Sequence, residues 1–164
     1  MVRGHPMASK TVTASRQVML EPAQAFALWT DPTRWATFWE GFGHVVERDD
    51  SWPAEGAKLV WTSTPGGRGL VSERVLTRGD TLISTRIAEA SLAGMQTAQF
   101  DPDPERGGSL ATLTLEYELN PTSVWRRGPL GKVTDAFFIR RALADSLART
   151  LRRFAVEAAE EASL

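Results

Sequence analysis

The chain contains no cysteine, a single tyrosine and only two histidines. The first absence excludes a disulfide scaffold, a thiolate nucleophile and a cysteine-ligated metal site. It fits a reducing compartment, and the cytoplasm is the expected location. Of the histidines, His5 lies in the first ten residues, so a catalytic dyad would depend on His44 alone. No Ser–His–Asp set or metal-ligand cluster emerges, so neither a metal nor a cofactor is expected. No window approaches the ~18 consecutive apolar residues that span a membrane. Met1 to Lys10 carries Arg3 and Lys10 with no apolar core between them, which does not read as a signal peptide. A net charge of -1 gives no clustered cationic surface for nucleic acid.

What remains is a globular composition of 164 residues, enough for one domain. We expect residues 1–10 to form a disordered tail, with Met7 an alternative start, and residues 11–160 to form the domain. Aromatic residues are weighted to Trp and Phe, and Trp29, Trp35 and Trp39 cluster in one short stretch.

The punctuation of the chain predicts its elements. Thr11 to Leu20 is β-prone. Pro22 opens a short helix with Ala25, Phe26 and Trp29 on one face, and Asp31-Pro32 breaks it before a second short helix through Trp35, Phe38 and Trp39. Strands follow at 44–48, 58–64, 69–77, 81–88 and, more weakly, 95–100, separated by turn residues. Ser109 to Leu119 alternates cleanly, with Ala111, Leu113, Leu115, Tyr117 and Leu119 on one face. Short connections imply antiparallel pairing. From about Pro129 the chain reads as one long helix with an apolar stripe of Val133, Phe137, Leu147, Leu151, Phe154 and Ala158, and Arg140 falls on that stripe. Thirty helical residues span about 45 Å, comparable to the width of a six- or seven-stranded sheet. The fold class is therefore α+β, one curved antiparallel sheet against one terminal helix.

This order, together with PAQAFALWTDPTRWATFW at 22–39, VSERVL at 71–76 and GGSLATLTLEYEL at 107–119, resembles the SRPBCC superfamily of START-like, helix-grip proteins, in its polyketide cyclase/dehydrase branch. The resemblance covers roughly residues 11–160. It implies a helix-grip fold of six to seven strands wrapped around the C-terminal helix, with an apolar cavity between helix and sheet. It specifies fold well and function poorly, because the superfamily spans lipid carriers, receptors, cyclases and chaperone activators.

Candidate site residues follow from charge and polarity on inward-facing positions. Arg140 either anchors a carboxylate, phenolate or enolate of a ligand, or snorkels from the cavity rim. Glu73 shares a strand face with Val71 and Val75, while Leu70, Ser72, Arg74 and Leu76 share the other, so alternation alone does not choose. The resemblance favours Glu73 inside, where it would have a raised pKa and act as general base or ligand acceptor. The alternative is an exposed partner of Arg86 or Arg78. Trp61, beside Leu59, either lines a cavity or fills a core. The Tyr117 hydroxyl needs a partner if buried. Trp35, Phe38 and Trp39 read as core or lid packing. GGRG at 66–69 lacks the setting and the lysine of a phosphate loop and reads as a turn.

The ligand-binding set is thus Trp61, Glu73, Tyr117, Arg140, Leu143 and Leu147, with Glu73, Tyr117 and Arg140 the catalytic candidates if a reaction is catalysed. The expected function is binding of a small hydrophobic, lipid-like or aromatic ligand. The alternatives are an aromatase/cyclase-type enzyme using the same cavity and a chaperone-activator-like interaction module. A homodimer is compatible with all three.

Overall fold

The computed structural model describes residues 10–120 and 131–164, with the side chains of 131–136 excepted. The expected N-terminal tail with His5, the loop preceding the terminal helix, and the Val133 position of its stripe lie outside the described residues. Seven strands form one antiparallel sheet: β1 (Lys10–Val18), β2 (Phe42–Arg48), β3 (Lys58–Ser63), β4 (Leu70–Arg78), β5 (Leu82–Ala88), β6 (Leu92–Pro102) and β7 (Ser109–Leu119). Their order across the sheet is β1-β7-β6-β5-β4-β3-β2. Each consecutive pair from β2 to β7 is a hairpin, and β1 returns to the far edge beside β7. This is the α+β helix-grip arrangement that the element order implies.

The strand expected at 95–100 is longer, running from Leu92 to Pro102. Gly94 weakens the sequence signal but is required by the fold. A β-carbon there would come within 1.9 Å of the Glu116 carbonyl oxygen. Strands β6 and β7 therefore approach more closely at this point than any side chain permits.

Helices α1 (Pro22–Trp29) and α2 (Trp35–Phe38) interrupt the sheet after β1, separated by a 3₁₀ turn over Pro32–Arg34. Pro22 occupies the first turn of α1, where its missing N–H costs nothing. The Asp31 carboxylate caps the 3₁₀ turn by accepting the Thr33 N–H at 3.1 Å.

The long helix α3 (Gly131–Ala162) closes the concave face of the sheet. Phe154 is its centre of attachment, with ring centroids 5.4 Å from Trp29, 5.0 Å from Phe38 and 5.8 Å from Phe100. Arg34 reaches the carboxylates of Glu157 and Glu161, and Arg149 pairs with Glu40 at 2.8 Å, which ties the last turns to α2 and its neighbours. The buried stripe runs through Ile139, Leu147, Leu151, Phe154 and Ala158, with Leu143 half-buried. One expectation is corrected. Phe137 is 65% exposed, and the early turn buries Ile139 instead. Stepping back by fours from Leu151 carries the contact round the helix toward the β5–β6 turn, so Ile139 and Leu143 look onto an open cleft rather than the centre of the sheet.

Leu151, 1% exposed, belongs to the packed part of this interface. Leu151→Ala is expected to destabilise the protein by ~2–5 kcal/mol in urea unfolding, as large-to-small core changes do. A loss under about 0.5 kcal/mol would mean that α3 does not depend on this contact.

Candidate functional site

The concave face carries few polar side chains, and each is placed by strand register. On β4, Val71, Glu73 and Val75 are buried while Leu70 and Leu76 face outward, so the carboxyl of Glu73 points into the interior. Its direct cross-strand neighbours are Leu59 and Ile87, both apolar. Its hydrogen bonds come from the diagonal positions instead. The indole N–H of Trp61 donates to Oε2 at 2.7 Å, and the hydroxyl of Thr85 donates to Oε1 at 3.1 Å. The exposed alternative, pairing with Arg86 or Arg78, does not occur. Arg86 stands opposite Arg74, and the Arg78 guanidinium lies over the Phe26 ring.

Burial pushes the Glu73 carboxyl above its ordinary value, because an ionised carboxylate in this apolar interior is poorly solvated. The hydrogen bonds from Trp61 and Thr85, and the charge of Arg68, pull only partly the other way.

Beside Glu73 lies a void of about 10 Å³, edged by Thr30, Thr85 and Gln96 and walled by Trp29, Trp35, Trp39 and Trp52. Its size and polar partners suit one water. Trp35, Phe38 and Trp39, all buried, are the packing that closes this end of the grip. Their indoles are satisfied locally or stacked. Trp35 donates to the Trp29 carbonyl at 2.8 Å, and Trp39 stacks on Trp29 at 4.8 Å. Trp61 is likewise fully buried, packed on Phe42 and Trp39.

The opposite end is open. Between the first half of α3 and the sheet lies a cleft of about 410 Å³. Leu92, Leu119, Ile139 and Leu143 form its apolar wall, and Arg68, Glu89, Ser91 and Ser146 supply its polar rim. Leu143 therefore faces this space, whereas Leu147 packs into the core below it.

Tyr117 sits on the same side of the molecule, opposite Gly94 on β6 and one turn of strand from Leu119. It is 1% exposed, and its hydroxyl has no hydrogen-bond partner among the described residues. Burial raises its pKa, and the charge of Arg140 acts in the opposite direction. Arg140 itself is exposed, with no ion pair among the described residues. Tyr117 and Arg140 are thus electrostatic neighbours. Glu73 is separated from Tyr117 by three strand spacings, about 14 Å along the sheet. The three polar candidates do not converge on one point.

Arg68 and Glu89 carried no signal in the sequence, Arg68 because it lies in the turn after β3. That turn folds it back over Trp61, its guanidinium 5.8 Å from the ring centre and paired with Glu89. Among the described residues no group of three His, Asp or Glu could hold a metal ion, and no helix is long and apolar enough to cross a membrane.

The Glu73 environment has a pH signature. A carboxyl whose folded pKa lies above its unfolded value binds its proton more tightly in the native state. Its contribution to stability is full below pH ~4.3 and is lost as pH rises through the folded value, with a slope of at most ~1.4 kcal/mol per pH unit. Glu73→Gln keeps an acceptor for Trp61 and offers its amide to the Thr85 oxygen, and it has no proton to lose. Urea unfolding of both proteins from pH 4 to 9 should show the wild type losing ground to the variant as pH rises. A pH-independent difference would place the carboxyl in a solvated setting.

The whole described chain is similar to known helix-grip proteins. One solved structure is that of the di-domain ARO/CYC protein StfQ from the steffimycin biosynthetic pathway, with TM-score 0.74 and 17% identity over 94% of this chain and 52% of that one. Another is a protein of unknown function from Staphylococcus aureus, with TM-score 0.73, 12% identity and coverage of 94% and 96%. A third, from Chromobacterium violaceum, has TM-score 0.63, 16% identity and coverage of 90% and 96%. At these identities the likeness is one of fold. No curated protein matches the sequence at a significant level. Residues 9–159 match the family described as polyketide cyclase / dehydrase and lipid transport, and the chain belongs to that family.

Proposed function

We propose that this protein binds a small, largely apolar ligand in the cleft between the first half of α3 and the sheet. The observation that carries this reading is the apolar cleft itself, and beside it the Tyr117 hydroxyl, two residues from the cleft-lining Leu119 on β7, is buried without a hydrogen-bond partner among the described residues. A buried hydroxyl without a hydrogen bond costs about 1–3 kcal/mol. A ligand's polar atom reaching in from the neighbouring cleft would take the missing place. The apolar lining by Leu92, Leu119, Ile139 and Leu143 supplies burial, and Arg140, whose charge reaches Tyr117, favours an oxygen-bearing ligand.

An aromatase/cyclase-type enzyme is the second reading, supported by the family and by an interior carboxyl that holds its proton tightly. Against it stands the position of that carboxyl. Glu73 borders a space for one water, behind Trp29, Trp35 and Trp39, and a polyketide chain in the cleft does not touch it. No described feature favours an interaction module.

Tyr117→Phe tests the binding reading. Removing an unpartnered hydroxyl should leave the apo protein equally stable or up to about 2 kcal/mol more stable. Affinity for a ligand copurified with the protein and identified by native mass spectrometry should fall by about 3–30-fold, the worth of one hydrogen bond to a polar atom. A loss of stability with unchanged affinity would make the hydroxyl structural.

A further inference from the structure

The polar rim of the cleft has a specific chemistry that neither the family nor the Tyr117 argument addresses. Arg68 donates through Nε to Oε2 of Glu89. The Glu89 side chain is 3% exposed, and its other oxygen accepts the Ser91 hydroxyl at 2.8 Å. Both carboxylate oxygens are thus engaged, and Glu89 acts as a buried tether. Trp61 supports the guanidinium from its face, 5.8 Å away. Held by its Nε edge and one face, the guanidinium keeps its terminal edge, with two parallel N–H groups, without a partner among the described residues. Arg68 lines the cleft whose opposite wall is Leu92, Leu119, Ile139 and Leu143.

We infer that Arg68 is the head-group recognition residue of the cleft, and that the ligand is an amphiphile bearing a carboxylate or a comparable oxyanion on an apolar body. This deepens the proposed binding function and rests on it. A terminal guanidinium edge matches two oxygens of one group in a fork, which a hydroxyl or an amine does not offer. Glu89 does not forbid an anion there. The guanidinium lies between the two negative groups, so the incoming head group is nearer to the positive charge than to Glu89, and attraction outweighs repulsion at the shorter distance. The partly buried setting, with Arg68 28% exposed, limits solvent screening of that attraction.

The test uses a matched pair of probes, dodecanoate and dodecanol, titrated calorimetrically at pH 8 into the full-length protein. Dodecanol reports the apolar cleft, and the ratio of the two affinities reports Arg68. The wild type should bind both and prefer dodecanoate. Arg68→Met keeps the apolar stem, so dodecanol affinity should hold within about twofold while the preference for dodecanoate drops about tenfold or more. Glu89→Gln still accepts from Nε and removes the competing charge, so the preference should rise. That opposite direction is not produced by a merely structural role, and it remains readable if the Arg68 variant folds poorly. An unmoved ratio in Arg68→Met, or a lowered one in Glu89→Gln, overturns the assignment while leaving the cleft as an apolar site. Failure of the wild type to bind dodecanol overturns the binding reading itself, and the assignment with it.

Discussion

Phe154 is the contact on which the arrangement turns. Its ring meets Trp29 of α1, Phe38 of α2 and Phe100 of β6 at centroid distances of 5.0–5.8 Å. Edge-to-face and tilted aromatic packing of this kind adds about 0.5–1.5 kcal/mol per pair beyond the area it buries. Because all four elements converge there, the grip is closed solidly at one end. Space between α3 and the sheet is left to the other end. The cleft under Ile139 and Leu143 is the consequence. A helix docked by its second half over a curved sheet leaves its first half standing off.

The same division separates two kinds of buried polar group. Glu73 lies toward the filled end and is answered by the protein itself, with Trp61 and Thr85 as donors and a water-sized void beside it. Tyr117, on β7 two residues from the cleft-lining Leu119, is not answered among the described residues. Interior polar groups that are satisfied by neighbours mainly specify packing, whereas an unanswered one is a standing cost. The contrast supports reading the carboxyl as part of the architecture and the hydroxyl as part of the proposed site, although from the sequence both had the same claim to be functional.

Much of the fold was legible in residue order. Pro22 and Asp31-Pro32 mark the two short helices, and the alternation of Ser109–Leu119 marks β7. The spacing of Leu147, Leu151, Phe154 and Ala158 marks the docked face of α3. The direction of Glu73 was not decided by alternation, because both faces of β4 carry apolar residues. A buried Trp61 two positions away across the hairpin needs an acceptor, and that requirement was the available signal. Phe137 was misplaced because helical periodicity reports a stripe but not where along its length the helix leaves the sheet. Arg68 and Glu89 were invisible for a different reason. Each belongs to a turn, and they meet only because the β3–β4 and β5–β6 turns lie at the same edge of the mouth.

That meeting bears on the choice between carrier and enzyme. Acid–base catalysis requires a titratable group within hydrogen-bond reach of the reacting atoms. On the rim of the cleft the one carboxylate among the described residues, Glu89, has both oxygens committed, to Arg68 and to Ser91. The carboxyl with the altered proton affinity, Glu73, is sealed behind indoles. What the cleft offers an incoming molecule is therefore apolar surface, a fixed guanidinium edge and hydroxyl groups, all of them elements of recognition. A proton-transfer role for Glu73 would require Trp29, Trp35 and Trp39 to move apart. Trp29 packs edge-on against Phe154 of α3, and Trp39 and Trp35 are stacked on or hydrogen-bonded to Trp29, so access to the carboxyl would come at the expense of the contact that closes the fold.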